Sequence, residues 1–278
     1  METRGGPWES YAMREIVLLY HDVLEPQTAR PSGFPGSDAD LYKLERSEFE
    51  RHLDAIRETG ADVRLTFDDG GASAHTVIGP LLEERGWRGY FFIPTDYVGR
   101  PGFMGPDEIR DLHVRGHIIG SHSCSHPPRI SHCSPKEIER EWRESIGRLS
   151  SMLGEEVVTA SVPGGFYSPE VARYAAAAGI RSLFTSEPVT SVHEIDGCAI
   201  VGRYSVQSGD GAAQVAALAR GDWQPRLYQY LYWNAKKILK RVGGAYWLAG
   251  RKEFLKRQAR SREASRNRGQ DGPREGSR

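Results

Sequence analysis

The sequence predicts an α/β fold in which parallel strands curl into a closed or nearly closed barrel. Seven short apolar runs recur between residues 16 and 206. Most are separated by a helix-start signal or a helical pattern, and repeated strand–helix units place strands parallel under a cover of helices. With 278 residues, 38% hydrophobic and 27% charged, the chain has the size and ordinary composition of a large globular domain.

The elements follow in order. Ile16-Val-Leu-Leu-Tyr20 is a compact apolar strand, and residues 22–45, with Pro26, Pro31 and Pro35, form a long loop of the kind that often carries function. Ser47-Glu-Phe-Glu50 is a capping box that opens a helix to about Glu58. A strand over Asp62–Phe67 and a helix over about Ala72–Glu84 come next, then a strand at Tyr90–Ile93, a helix at Pro106–Arg115 and a strand at His117–Gly120. Ser134-Pro-Lys-Glu137 is a second capping box with Pro at the first helical position, so a helix runs to about Leu153. A strand at Val157–Val162 precedes a helix opened by Ser168-Pro-Glu170 and reaching about Ala178. Ile180–Thr185 and Ala199–Val206 complete the strands.

Charge is balanced overall, with 37 basic and 37 acidic side chains, but it is not evenly spread. Residues 223–278 hold 15 Lys/Arg against 4 Asp/Glu, which leaves 22 against 33 in residues 1–222. The expected division is a barrel over 1–222, a basic aromatic helical extension over 223–258 and a disordered basic tail over 259–278. An acidic body argues against nucleic-acid binding. The longest clean apolar run is far short of a membrane span or a signal-peptide core. Three cysteines are too few for a disulfide framework. Together these point to a cytoplasmic protein.

In such barrels chemistry sits at the C-terminal ends of the strands. Three ends stand out. Thr66-Phe-Asp-Asp-Gly70 sets two carboxylates side by side, which repel unless a cation or proton separates them; a plain turn with a helix cap is the competing reading. Ser121-His-Ser-Cys-Ser-His-Pro127 carries His122 and His126 four residues apart, a spacing at which two imidazoles can converge on one metal ion. Cys124 between them is a thiolate donor or, more simply, a packing residue. Pro163-Gly-Gly-Phe-Tyr167 brings glycines that allow close approach to backbone N–H groups, as an oxyanion hole requires, or that only make a turn.

TFDDG, SHxxSHP and the Pro-Gly-Gly turn, in this order, resemble the polysaccharide deacetylase family (the NodB homology domain) over about Ile16 to Val206. The resemblance implies a distorted barrel of about seven strands, (β/α)7 in kind, here with a C-terminal helical extension. It implies a divalent metal, zinc foremost, with cobalt, nickel or iron as alternatives. The implied reaction is hydrolysis of an acetyl group from an N-acetylated carbohydrate. Carried over by motif, Asp69, His122 and His126 are metal ligands, Asp68 is the catalytic base, and Gly164, with Gly165 and Tyr167 beside it, faces the substrate and its oxyanion. Two departures stand against the pattern. Ser161 occupies the place of the Arg that braces the base, and no Leu-x-His follows the third motif. Leu19-Tyr-His21, at the end of the first strand, is similar to the circularly permuted subgroup, in which the closing strand has moved to the N-terminus. His21 is therefore the candidate general acid. Arg203 is a candidate replacement for the missing brace. Another C–N hydrolase on the same fold and an inactive carbohydrate-binding homologue are the alternative functions.

Residues 224–250 interleave tyrosines and tryptophans with lysines and arginines. That suits a helix docked on the barrel, and it suits peripheral contact with the inner face of a membrane on which a lipid-linked sugar is processed.

Overall fold

The computed structural model describes residues 16–25 and 31–235. The expected tail over 259–278 and most of the expected extension lie outside the described residues. The strands are β1 (Ile16–Tyr20), β2 (Asp22–Leu24), β3 (Lys43–Glu45), β4 (Val63–Phe67), β5 (Gly89–Ile93), β6 (Ile118–Ser121), β7 (Thr159–Ser161), β8 (Ser182–Phe184), β9 (His193–Ile195), β10 (Cys198–Val201) and β11 (Tyr204–Ser205). The helices are α1 (Ser37–Asp40), α2 (Arg46–Thr59), α3 (Gly79–Glu83), α4 (Pro106–Val114), α5 (Pro135–Leu153), α6 (Pro169–Ala177) and α7 (Ala212–Ala219), and residues 223–235 are also helical.

One nine-stranded sheet has the order β11-β1-β4-β5-β6-β7-β8-β10-β9 and is parallel except for the β9–β10 hairpin. β1 is buried along its whole length, as a strand covered on both faces must be. Ile16, Leu18 and Tyr20 face the helices, where α2 and α7 pack, while Val17 joins Phe92, Phe184 and Val201 inside the barrel. The two sets alternate with the strand period of two.

Three expectations are corrected. The single strand expected over Ala199–Val206 is two strands, β10 on β8 and β11 on β1, at opposite ends of the sheet order. Gly202 and Arg203 link them, so this link joins the β11 edge to β10, the strand next to the other edge of the sheet. Gly202 is needed there: a Cβ would lie 2.4 Å from the Val189 carbonyl oxygen. The long loop over 22–45 contains the short parallel pair β2–β3 and helix α1. Helix α2 begins at Arg46, ahead of the expected capping box, because β3 runs directly into it and Glu45 takes the cap position. The second box forms as expected: Ser134 N donates to Glu137 Oε2 at 2.7 Å, with Pro135 at the first helical position. Among the described residues no helix is long and apolar enough to cross a membrane.

Candidate active site

β4 ends in Phe67 and hands the chain to Asp68 and Asp69. Asp69 has a φ of 73°, a left-handed conformation uncommon outside glycine, and Gly70 follows at 62°. The turn therefore points two adjacent carboxylates to different tasks. β6 ends at Ser121, and the following loop holds Ser123 and His126 at positive φ as well. Strain of this kind persists only where surrounding contacts fix it. Here Glu141 of α5 does so: one oxygen accepts from Cys124 N (2.9 Å) and Ser125 N (2.8 Å), and the other from Ser125 Oγ (2.8 Å). Ser123 N donates to Ser121 Oγ, and His126 N to Ser123 Oγ.

These two loops bring Asp69, His122 and His126 together. Each offers a donor atom, and the three lie within 4.8 Å of one another. Asp69 Oδ1 is 3.4 Å from Nε2 of both histidines. Nδ1 of His122 meets the Ser161 carbonyl at 3.1 Å, and that oxygen can only accept, so Nδ1 carries the proton. Nε2 then presents a bare lone pair to a carboxylate, an arrangement that a shared cation relieves. Two imidazole nitrogens and one ionised carboxylate make a donor set that fits a divalent transition metal and leaves positions open. Cys124 is not part of the cluster: it is buried, and its thiol is pushed up to about 11 by burial, as suits a packing residue.

Asp68 lies beside this cluster in a different environment. Arg203 donates Nη1 to Oδ1 and Nη2 to Oδ2, both at 2.8 Å. The guanidinium is fully buried and also donates to the Thr185 carbonyl (2.9 Å) and Thr66 Oγ1 (3.2 Å). Ser161 Oγ donates to Asp68 Oδ1 at 3.0 Å. Burial alone raises the Asp68 carboxyl, but Arg203 and then His122 reverse this, and the net shift is downward. Where the family resemblance expects an Arg at position 161, the brace comes from the β10–β11 link, and Ser161 fills the space between Asp68 and His122.

The cluster floors a cleft of about 690 Å³. His21 lines it from the exit of β1, its ring 4.6 Å from that of Tyr42, with Nδ1 buried and without a partner among the described residues. Gly164 and Gly165 line it from the turn after β7, both at positive φ. Gly164 has no room for a side chain, since a Cβ would sit 2.9 Å from the Pro128 carbonyl oxygen. Two sequence candidates sit elsewhere. Tyr167 is outside the cleft, its hydroxyl 3.3 Å from His193 Nε2, and Phe166 takes the lining position instead. Arg203 lies behind Asp68 and not on the cleft wall.

Sequence reasoning missed Glu141, whose signal is its place on the buried stripe of α5 beside Ile138, Trp142 and Ser145. It also missed Asp22, next to His21. The Asp22 carboxylate is buried and accepts from Ser32 Oγ (2.5 Å) and Ser73 Oγ (2.9 Å), tying the exit of β1 to the turn after Asp69.

Residues 55–183 match the family model described as polysaccharide deacetylase. Over these 129 of the 278 residues the chain is similar to the polysaccharide deacetylase family. Among curated relatives it is 28% identical over 181 residues to a gellan lyase of Bacillus sp., covering 61% of this chain and 7% of that protein. It is 29% identical over 136 residues to the chitooligosaccharide deacetylase of Rhizobium leguminosarum bv. trifolii, covering 46% of this chain and 60% of that protein. The chain thus spans less than two thirds of either relative. The fold is similar to that of the Streptococcus pyogenes deacetylase PplD, solved in complex with acetate. The TM-score is 0.60 at 17% identity, over 72% of this chain and 95% of that one.

Proposed function

We propose that the protein hydrolyses the acetamide of an N-acetylated sugar, in a polysaccharide, an oligosaccharide or a lipid-linked glycan. The observation that carries this reading is the Asp69–His122–His126 cluster next to the buried Asp68–Arg203 pair, on the floor of one cleft. Asp69, His122 and His126 hold a divalent metal, zinc foremost. When bound it polarises the acetyl carbonyl and makes water more acidic.

The chain's own groups do the rest. Asp68, kept ionised by Arg203, accepts the proton of the attacking water. Ser161 and Arg203 hold both Asp68 oxygens, so the carboxylate has one orientation. The Gly164 N–H faces the developing oxyanion, a role that needs a bare backbone. His21, across the cleft, gives a proton to the departing amine, a poor leaving group without it. All three cysteines are free thiols, which supports a cytoplasmic setting. The outer face of helical residues 223–235 exposes Trp223, Leu227 and Leu231 ahead of the basic segment. That supports peripheral contact with an anionic membrane, read by sedimentation with anionic vesicles.

The deciding experiment measures acetate release from chitooligosaccharides and metal content in parallel. Asp69→Ala loses metal and activity together. Asp68→Asn keeps the metal and loses about 10²–10⁴-fold in kcat, the worth of a positioned acid or base. Full activity in Asp68→Asn overturns the assignment of the base.

A further inference from the structure

The helical residues 223–235 are outside the sheet and outside the motifs, yet they form one wall of the cleft. Their inner face is fastened by polar bonds. Arg226 donates Nε to Tyr204 Oη (2.8 Å), Nη1 to the Gly221 carbonyl (3.1 Å) and Nη2 to Thr190 Oγ1 (3.2 Å). Gln229, three residues on, clamps β11 at both backbone polar atoms of Ser205: it accepts from Ser205 N (3.1 Å) and donates to Ser205 O (2.9 Å). Trp233, four further on, lies on the glycine turn, so that a Cβ on Gly165 would come within 2.9 Å of its ring. The spacing of 226, 229 and 233 is that of one helix face.

This fastening turns three aromatic rings toward the catalytic floor. Tyr228, Tyr232 and Trp233 all line the cleft that holds Asp68, Asp69 and His21. Tyr228 and Tyr232 stack on each other with centroids 6.3 Å apart and planes 12° apart, and both remain more than half exposed. Trp233 Nε1 is buried and has no hydrogen-bond partner among the described residues. A buried donor without an acceptor costs free energy unless something supplies one. Flat, weakly hydrated ring faces that lose little entropy on binding, beside a single waiting donor, are complementary to a pyranose. Such a ring offers an apolar C–H face and hydroxyl acceptors along its edge.

We propose that Tyr228, Tyr232 and Trp233 form a sugar-binding wall that holds a pyranose ring of the substrate over the catalytic floor. Trp233 covers the ring next to the glycine turn and donates Nε1 to one of its oxygens. The inference rests on the deacetylase reading for the identity of the bound class, and it assigns substrate selection to the extension and not to the family motifs.

Three measurements on the full chain test it. Binding of chitotetraose to the Asp68→Asn protein is followed by calorimetry, with Trp233→Ala and Tyr228→Ala/Tyr232→Ala added to that background. Each is expected to weaken binding roughly tenfold, the order of one to two aromatic contacts. Trp233→Phe keeps the ring but loses the donor and is expected to fall in between. In the otherwise native protein, the same aromatic changes are expected to raise KM for chitotetraose with kcat nearly unchanged. Hydrolysis of 4-nitrophenyl acetate, which has no sugar, stays within twofold and reports that fold and floor are intact. Unchanged chitotetraose binding overturns the wall, as does an equal loss on both substrates. Loss of sedimentation with anionic vesicles while sugar binding is untouched also overturns it and gives these rings to a membrane surface. Failure of the deacetylase reading is seen separately, as sugar binding without acetate release.

Discussion

Replacing Arg203 by Leu removes the charge that makes Asp68 tolerable in the interior. The side chain is fully buried, and Asp68 is 5% exposed. The change breaks two charge-assisted bonds to Asp68 at 2.8 Å and two further bonds, to Thr185 O and Thr66 Oγ1. Among protein donors to Asp68, the Ser161 hydroxyl is what remains. Orphaning one member of a buried ion pair costs about 3–5 kcal/mol. With a urea m-value of about 2 kcal/mol/M, the unfolding midpoint falls by about 2 M. Asp68→Asn alone strands the guanidinium and costs a similar amount. If pairing is the source, the double variant Arg203→Leu/Asp68→Asn is less destabilised than the two singles together by at least about 2 kcal/mol. Activity adds a second signature. Arg203 holds the Asp68 carboxyl down, so its loss moves the acidic limb of the pH–rate profile to higher pH. Strict additivity in the cycle, with an unmoved acidic limb, would falsify the claim that Arg203 braces the base.

Three further outcomes are expected. Glu141→Gln weakens the ties to Ser125 and Cys124 and lowers metal affinity by about 10–100-fold without touching a ligand; isothermal titration with zinc is the check, and wild-type affinity counts against it. Gly33→Ala costs about 1–3 kcal/mol in urea unfolding, because φ is +65° and the new Cβ would lie 1.9 Å from Asp22 Oδ2; a neutral effect contradicts the buried Asp22 knot. Stability falls as pH drops below about 6.5. Burial holds His52 and His117 below that ordinary value, so the unfolded chain binds protons first, and the stability present above 6.5 is lost as pH descends through the lowered folded values. His52→Gln shortens that loss between pH 7.5 and 5.5, and an unaltered slope rules His52 out as a contributor.

The legible parts of this protein are those whose causes are local. β1, β4 and β5 are apolar runs bounded by polar turns, and the Ser134 box and the Ser168 cap, whose Oγ accepts from Val171 N at 3.2 Å, fix helix starts within four residues. The Asp69–His122–His126 cluster is legible because all three residues lie in the loops that leave the ends of β4 and β6. Non-local causes leave no such trace. The run Ala199–Val206 reads as one strand and carries no record that its two halves join different strands of the sheet. Arg203 is suggested only by the missing Arg at 161, since its partner lies 135 residues away. Glu141 looks like one more charge on α5 until its place on the buried stripe is noticed. The inward turn of residues 223–235 depends on bonds to Ser205 and Tyr204, which nothing within the segment itself announces.

The distribution of these bonds makes assembly of the site and closure of the sheet one event. Asp68 follows β4, Ser161 closes β7, His122 follows β6, and Arg203 lies in the link between β10 and β11. A carboxylate at the position of Asp68 is unfavourable in the interior until Arg203 arrives. Arg203 directly precedes β11, which pairs with β1, and Val206 N donates to Leu19 O at 2.9 Å. β11 is in turn gripped through Ser205 by Gln229, from the same helical segment that places Trp233 over the glycine turn. The charge on the base, the last parallel strand and the aromatic wall therefore stabilise one another through a short chain of contacts: Asp68 to Arg203, Arg203 to β11, β11 to Gln229. Loosening any link lowers the others, because each removes a partner from a group that is already buried. Residues 223–235 are accordingly tied to the same chain of contacts as Asp68, and are not an appendage to a finished sheet.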